Sequence, residues 1–127
     1  MSTLQARLRE MFTRMVEAKD ASLVDEFYDP GFELHTNGAV QDLAAFRAGH
    51  ERVYPTAITY AVEYDDEAWI ESGDRLAGRV WITTTMPGER PTRIEVVLLA
   101  GYRDGRIHWL KELTWPDWRR MGEFAEY

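Results

Sequence analysis

The spacing of apolar residues changes once along the chain, near Ala57. Before that point, apolar side chains recur every three or four residues, which is the spacing of amphipathic helices. After it they alternate with polar residues, which is the period of strands that present two different faces. Helices followed by a run of strands joined by short turns predict an α+β fold, in which three N-terminal helices pack on one mostly antiparallel sheet.

The helical part contains three predicted helices and one short strand. The first helix carries the apolar stripe Leu4, Leu8, Met11, Phe12 and Met15. The second is short and is capped by Asp20 and Ser22, because their side-chain oxygens can accept a backbone N–H of the first turn. A short strand follows at residues 32–36. The third helix begins at Asp42, ends at Pro55 and carries an inward stripe that includes Leu43, Phe46, His50 and Val53.

Four long strands are predicted at residues 57–71, 75–86, 92–103 and 106–115, followed by a short helical tail. The strongest turn signal is Asp104-Gly105, since a two-residue type I′ turn needs a positive φ at both positions. A regular hairpin at this turn places Leu99 opposite Leu110.

The same register divides the sheet into two faces. The face predicted to lie under the helices carries Val80, Ile82, Thr84, Ile94, Val96, Leu98, Ile107, Trp109, Leu113 and Trp115. The outer face carries Arg79, Trp81, Thr83, Glu95, Val97, Leu99, His108, Leu110, Glu112 and Thr114. Because the outer face is too apolar to be fully solvated, we predict a homodimer formed through Trp81, Val97, Leu99 and Leu110.

Composition limits the partners. The chain has 127 residues, 22 acidic and 15 basic, and a net charge of −7, which argues against binding nucleic acid or an anionic membrane. It has no cysteine, and residues 1–30 contain neither a signal-peptide pattern nor a membrane-spanning apolar run. We expect one cytoplasmic domain over residues 1–127.

Four short segments resemble the nuclear transport factor 2-like superfamily in its SnoaL-like branch. They are EAKD at residues 17–20, DPGFELH at 29–35, GDRLA at 73–77 and YRDGRI at 102–107. The resemblance implies a cone-like, cystatin-like α+β barrel with a strongly curved sheet. The superfamily contains isomerases, cyclases, dehydratases, epoxide hydrolases and non-catalytic binders, so the resemblance indicates a fold rather than one reaction.

The ketosteroid isomerases, to which this layout is similar, imply catalytic groups near Phe12, Thr36 and Leu98. None of these side chains can transfer a proton near neutral pH, so we do not expect that chemistry. In the cyclase branch the last strand often ends with an acid. Trp115 occupies that position here, although Asp117 lies two residues further on.

His50 and His35 are the candidate catalytic residues. His50 lies on the inward stripe of the third helix, where it could act as a general base or serve as a core histidine with one partner. By strand alternation His35 faces outward, and His108 is assigned a structural role on the outer face. Because the three histidines lie on separate elements without metal-ligand spacing, we expect no metal site.

The predicted ligand is a hydrophobic, cyclic or aromatic small molecule, bound without a cofactor. The candidate ligand-binding residues are Met11, Met15, Thr36, Tyr54, Tyr60, Trp69, Thr84, Trp109 and Trp115. Their large side chains could equally fill the core without leaving a cavity. Glu95 and Glu112 fall on the predicted outer face with Arg79, where surface ion pairs explain them. With no carboxylate predicted under the helices, two hypotheses stay open: a small enzyme and a non-catalytic binding domain.

Overall fold

The computed structural model describes residues 3–117 and shows helices packed on one seven-stranded sheet. The helical elements are α1 (Thr3–Met11), which continues into a π-helical segment (Phe12–Glu17), a 3₁₀ turn (Ala21–Leu23), α2 (Val24–Phe27) and α3 (Leu43–Val53). The strands are β1 (Tyr28–Thr36), β2 (Ala39–Asp42), β3 (Thr59–Tyr64), β4 (Ile70–Ser72), β5 (Arg75–Thr85), β6 (Thr92–Arg103) and β7 (Arg106–Trp115). The predicted α+β arrangement is confirmed. The predicted helical tail lies outside the described residues.

The sheet has the strand order β2-β1-β7-β6-β5-β3, and β4 pairs with β5. Every pair is antiparallel except β1 with β7, which run parallel. The sheet is open, since β2 and β3 form its two ends. The strand predicted at residues 57–71 is interrupted, because Asp65 accepts the backbone N–H of Glu67 and so forms a turn. Only β2 has no counterpart in the prediction.

Local sequence signals determine where α3 begins and where β1 ends. The Asp42 carboxylate accepts the backbone N–H of Ala45 at 2.8 Å and caps α3 as predicted. Asn37 and Gly38 have φ values of 48° and 89°, the left-handed conformation that a tight turn between β1 and β2 requires. These two features bring α3 over the end of β1.

A β-bulge changes the register of the β6–β7 hairpin. The turn residues Asp104 and Gly105 have positive φ values of 53° and 78°, as predicted. Beyond the turn, however, Gly101 pairs with Trp109, which leaves His108 as an extra residue in β7. From Trp109 onward, each side chain of β7 therefore faces the opposite side from the regular hairpin. Leu99 lies opposite Lys111, not opposite Leu110.

This shift corrects the predicted faces of β7. Leu110 and Thr114 are buried under the helices, although both were predicted to lie on the outer face. Trp115, predicted to face inward, is 75% exposed, and Leu113 is also exposed. The predicted faces of β5 and β6 agree with the structure, since Val80, Ile82, Ile94, Val96 and Leu98 are all buried.

Two contacts stabilise the bulge. The Trp109 ring lies across Gly101 on the outer face, so closely that a Cβ atom at Gly101 would be 2.2 Å from the ring. On the neighbouring strand β1, which changes register at the same level, the buried Asp29 carboxylate binds Arg103 and the backbone N–H of Gly31. Arg103 Nη2 donates to Asp29 Oδ2 at 2.7 Å, and Gly31 N donates to the same oxygen at 2.8 Å.

Replacing Arg103 is expected to destabilise the fold in a pH-dependent way. The Arg103 hydrogen bond, followed by that of Gly31, lowers the pKa of Asp29 from 3.8 to about 2. A carboxyl with a depressed pKa stabilises the folded state above its ordinary pKa, and this contribution is lost as the pH falls from 3.8 towards 2. Arg103→Gln should therefore lower the urea midpoint at pH 7, and by progressively less as the pH falls below 4.

The matched control is Arg75→Gln. Arg75 is an exposed arginine on β5 that lies 4.0 Å from Asp74. Its loss should leave the urea midpoint unchanged at every pH. Equal effects of the two substitutions would contradict a role for the Asp29–Arg103 pair in holding the bulge.

Candidate functional site

A cavity of about 130 Å³ lies between the helices and the inner face of the sheet. Its apolar walls are formed by Leu8, Met11, Phe12, Val16, Tyr28, Leu34, Ala39, Phe46, Ile82, Ile94, Val96, Leu98 and Leu110. Its polar lining residues are Thr36, Gln41, His50, Thr84 and Glu112. Among the described residues, neither lysine nor arginine lines this cavity, so its wall is apolar with a few polar groups.

Glu112 brings a carboxyl group into the cavity. It lies on β7 beside Thr36 of β1 in the parallel ladder, and Thr36 Oγ1 donates to Glu112 Oε1 at 3.1 Å. Burial raises the pKa of Glu112 from 4.5 to about 7, although the Thr36 hydrogen bond opposes part of that rise. Near neutral pH the carboxyl is therefore populated in both protonation states. It can donate or accept a proton, which a general acid–base group must do.

The register shift at His108 is the reason that Glu112 faces inward. The regular hairpin predicted from the sequence placed Glu112 on the outer face, and that placement was wrong. The sequence did contain one warning signal. In the regular register Lys111 would lie under the helices as an unpaired charge, which is costly to bury. In the observed register Lys111 is exposed.

His50 lies in the wall of the cavity and is buried. Its Nδ1–H donates to the Phe46 carbonyl oxygen at 2.7 Å, and its ring packs 4.1 Å from the Phe46 ring, measured between centroids. Burial lowers the pKa of His50, so the imidazole is neutral at pH 7 with Nε2 as its acceptor nitrogen. His50 thus combines core packing with contact to the cavity, and a catalytic role for it stays a prediction.

The second candidate, His35, lies outside the cavity wall. Its Nε2 is 3.3 Å from Glu33 Oε1, and both residues are on the solvent side of β1. This outward orientation agrees with the alternation predicted from the sequence. His35 is therefore not in a position to act in the cavity.

The nine predicted ligand-binding residues separate into three groups. Those that line the cavity are Met11, Thr36 and Thr84. Those that are buried in the core away from its wall are Met15, Tyr54 and Tyr60. The third group, Trp69, Trp109 and Trp115, does not line the cavity. The register shift places Trp109 and Trp115 on the outer face, and Trp69 packs against Gly78.

Residues 3–117 contain no group of three or more histidine or acidic side chains arranged to hold a metal ion. They also contain no helix long and apolar enough to cross a membrane.

Comparison with known proteins gives one family and many structures of the same fold. The family model for the SnoaL-like domain matches residues 8–109. No curated protein sequence matches the chain.

Three solved structures illustrate the similarity of fold. A proposed isomerase from Rhodopseudomonas palustris is 15% identical, with a TM-score of 0.73 over 90% of each chain. IdmH, a proposed polyketide cyclase from Streptomyces antibioticus, is 16% identical, with a TM-score of 0.68 over 99% of this chain and 100% of its own. An LEH-like epoxide hydrolase from M. tuberculosis is 15% identical, with a TM-score of 0.72 over 89% of this chain and 84% of its own.

Glu112→Gln is expected to stabilise the protein at alkaline pH. Because the folded-state pKa is about 7 and the ordinary value is 4.5, the folded state binds this proton more tightly than the unfolded chain does. The wild type therefore loses stability as the pH rises from about 4 to about 7, whereas the glutamine variant does not ionise. The variant should be more stable at pH 8 by about 1–3 kcal/mol and equally stable at about pH 3.5, below the ordinary pKa of the carboxyl.

Urea unfolding at both pH values measures this difference. Glu63→Gln is the control, because Glu63 is an exposed carboxylate on the outer side of β3. The expectation is refuted if the two glutamine variants show the same pH dependence.

Proposed function

The chain belongs to the SnoaL-like domain family, and we propose that it is a cofactor-independent enzyme that transfers a proton to or from a hydrophobic small molecule bound in the cavity. The observation that carries this proposal is the Glu112 carboxyl, which lines an apolar cavity and has a pKa of about 7. A carboxyl that changes protonation near the working pH is suited to general acid–base catalysis.

The cavity supports an uncharged ligand about the size of one ring. Its volume of about 130 Å³ is close to the roughly 150 Å³ in which another protein holds benzene. Phe12, Tyr28 and Phe46 supply aromatic wall surface for a flat ligand. A ligand carboxylate or phosphate would find no cationic partner among the described lining residues and would be repelled by ionised Glu112. A hydrophobic cyclic or aromatic metabolite fits this wall.

The polar groups lie on different walls of the cavity. Glu112 is on β7, whereas the neutral imidazole of His50 is on α3 and the hydroxyl of Thr84 is on β5. In the proposed reaction Glu112 moves the proton, while the Thr84 hydroxyl orients a ligand oxygen and His50 Nε2 can accept a hydrogen bond from a ligand O–H group. The names of the three structures of similar fold, an isomerase, a cyclase and an epoxide hydrolase, are compatible with chemistry that needs no cofactor.

The proposal predicts proton exchange that depends on Glu112. The protein is incubated in D₂O with a panel of uncharged cyclic ketones, and NMR follows deuterium incorporation next to the carbonyl group. Exchange should rise with pH through an apparent pKa near 7, because the carboxylate is the base. Glu112→Gln should slow exchange at least about 100-fold.

Binding and exchange together separate the two hypotheses for this pocket. Ligand-observed NMR measures binding of the same panel to the wild type, to Glu112→Gln and to the exposed control Glu63→Gln. If ketones bind but exchange no faster with the wild type than with Glu112→Gln, the protein is a non-catalytic binder. If none of them binds, the proposed ligand class is wrong.

We also propose that the protein is a homodimer formed through the outer face of the sheet. That face exposes an apolar patch consisting of Val97 (47% exposed), Leu99 (51%), Leu113 (68%) and Trp115 (75%). Val97 and Leu113 are direct cross-strand partners, so these side chains form one continuous surface. Trp81 lies beside them between Arg79 and Arg93. Apolar surface of this kind is favourable to bury against a second copy.

The dimer proposal predicts that Leu99→Arg gives a monomer at micromolar concentration, because burying an unpaired arginine in an apolar interface is costly. Sedimentation velocity measures the change. Val40→Arg is the matched control, since Val40 is 59% exposed but lies on β2 at the end of the sheet. A wild type that sediments as a monomer would refute the dimer. A Leu99→Arg variant that stays dimeric would place the interface on another surface.

A further inference from the structure

The side chain of Asn37 binds the end of β7. Asn37 Oδ1 accepts the backbone N–H of Thr114 at 2.9 Å, and Asn37 Nδ2 donates to Thr114 Oγ1 at 2.8 Å. The backbone N–H of Asn37 donates to the Glu112 carbonyl oxygen at 3.2 Å. One residue therefore bonds to β7 both at the position of Glu112 and two residues beyond it.

These bonds replace the next rung of the parallel ladder. The register between β1 and β7 ends at Thr36 and Glu112, because β1 turns away at Asn37, whose φ is 48°. If Asn37 did not bind it, the backbone N–H of Thr114 would point into the gap between β1 and β7 without an acceptor. The Asn37 amide fills this place as a backbone peptide group would, and it also satisfies the hydroxyl of Thr114, which is buried.

The bonds bracket Glu112 in space. On the near side, Thr36 Oγ1 binds the carboxyl, and Asn37 N binds the main-chain oxygen of the same glutamate. On the far side, Thr114 is held by the Asn37 amide. The backbone that carries Glu112 is thus anchored to β1 on both sides of its side chain, at an end of β7 where ladders commonly fray.

We propose that Asn37 is a positioning residue, which holds β7 against β1 so that the Glu112 carboxyl stays inside the apolar cavity and away from bulk water. Loosening this end of β7 would let water reach the carboxyl and stabilise its charged form. The consequence for turnover rests on the proposed role of Glu112 in proton transfer, whereas the effect on its ionisation does not.

Few other groups can control that ionisation. The titratable side chains that face the same cavity from the elements around it are Tyr28 on β1 and His50 on α3. The N-terminal helical segments that line the cavity contribute apolar side chains such as Met11, Phe12 and Val16. Access of water is therefore the variable that the Asn37 bonds regulate, and the ionisation of Glu112 reports on it directly.

The test is an NMR titration of the glutamate side-chain carboxyl carbons, with the signal of Glu112 assigned from its absence in Glu112→Gln. Asn37→Gly keeps the left-handed backbone and removes the amide bonds. Thr114→Val removes only the hydroxyl acceptor, and Thr114→Ser retains it as the matched control. Asn37→Gly should lower the pKa of Glu112 by about 1, Thr114→Val by less, and Thr114→Ser should leave it as in the wild type.

The outcomes separate this inference from the proposed function. A wild-type Glu112 that titrates near its ordinary value overturns both. A raised wild-type value that is unchanged in Asn37→Gly and in Thr114→Val overturns the positioning role alone, even if both variants are less stable, because a purely structural bond would not change the titration. Should Asn37→Gly fail to fold, a lowered value in Thr114→Val with recovery in Thr114→Ser supports the role.

Discussion

The extra residue at His108 determines which side chains of the last strand lie under the helices. Side chains alternate along a strand, so one inserted residue exchanges the two faces from Trp109 to the end of β7. Leu110 and Glu112 then line the cavity, while Trp109 and Trp115 lie on the outer face. The cavity and the outer surface both depend on this single irregularity.

The bulge is stable because it avoids a larger cost elsewhere. A regular hairpin would place Lys111 under the helices, where its charge would have no partner. The bulge exposes Lys111 and brings in Glu112, a group that can avoid the cost of a buried charge by keeping its proton. The Trp109 ring over Gly101, and the Asp29 carboxylate bound to Arg103, then secure the irregular strands. The same exchange that relieves a structural conflict supplies a carboxyl group with an unusual pKa.

The wall of the cavity is mostly apolar, and polar contacts from β1 hold Glu112 in place within it. Thr36 binds the carboxyl of Glu112, and Asn37 binds the strand that carries it. His50, on the opposite helix, is held neutral by burial and oriented by the Phe46 carbonyl oxygen. An acid with a raised pKa and a neutral imidazole thus face the same small space. Their environments have moved the ionisation of both away from that of solvent-exposed groups.

The sequence by itself determined the elements whose signals are local. The helical and strand periods, the cap at Asp42 and the Asp104-Gly105 turn are all present in the structure, as are the buried faces of β5 and β6. The direction of the β7 side chains was decided only by the tertiary structure. The contacts that set it join residues far apart in sequence, such as Asp29 with Arg103, or lie across two strands, as Trp109 does over Gly101. A local pattern cannot include such contacts, because alternation fixes the spacing of the two faces but not which of them meets the helices.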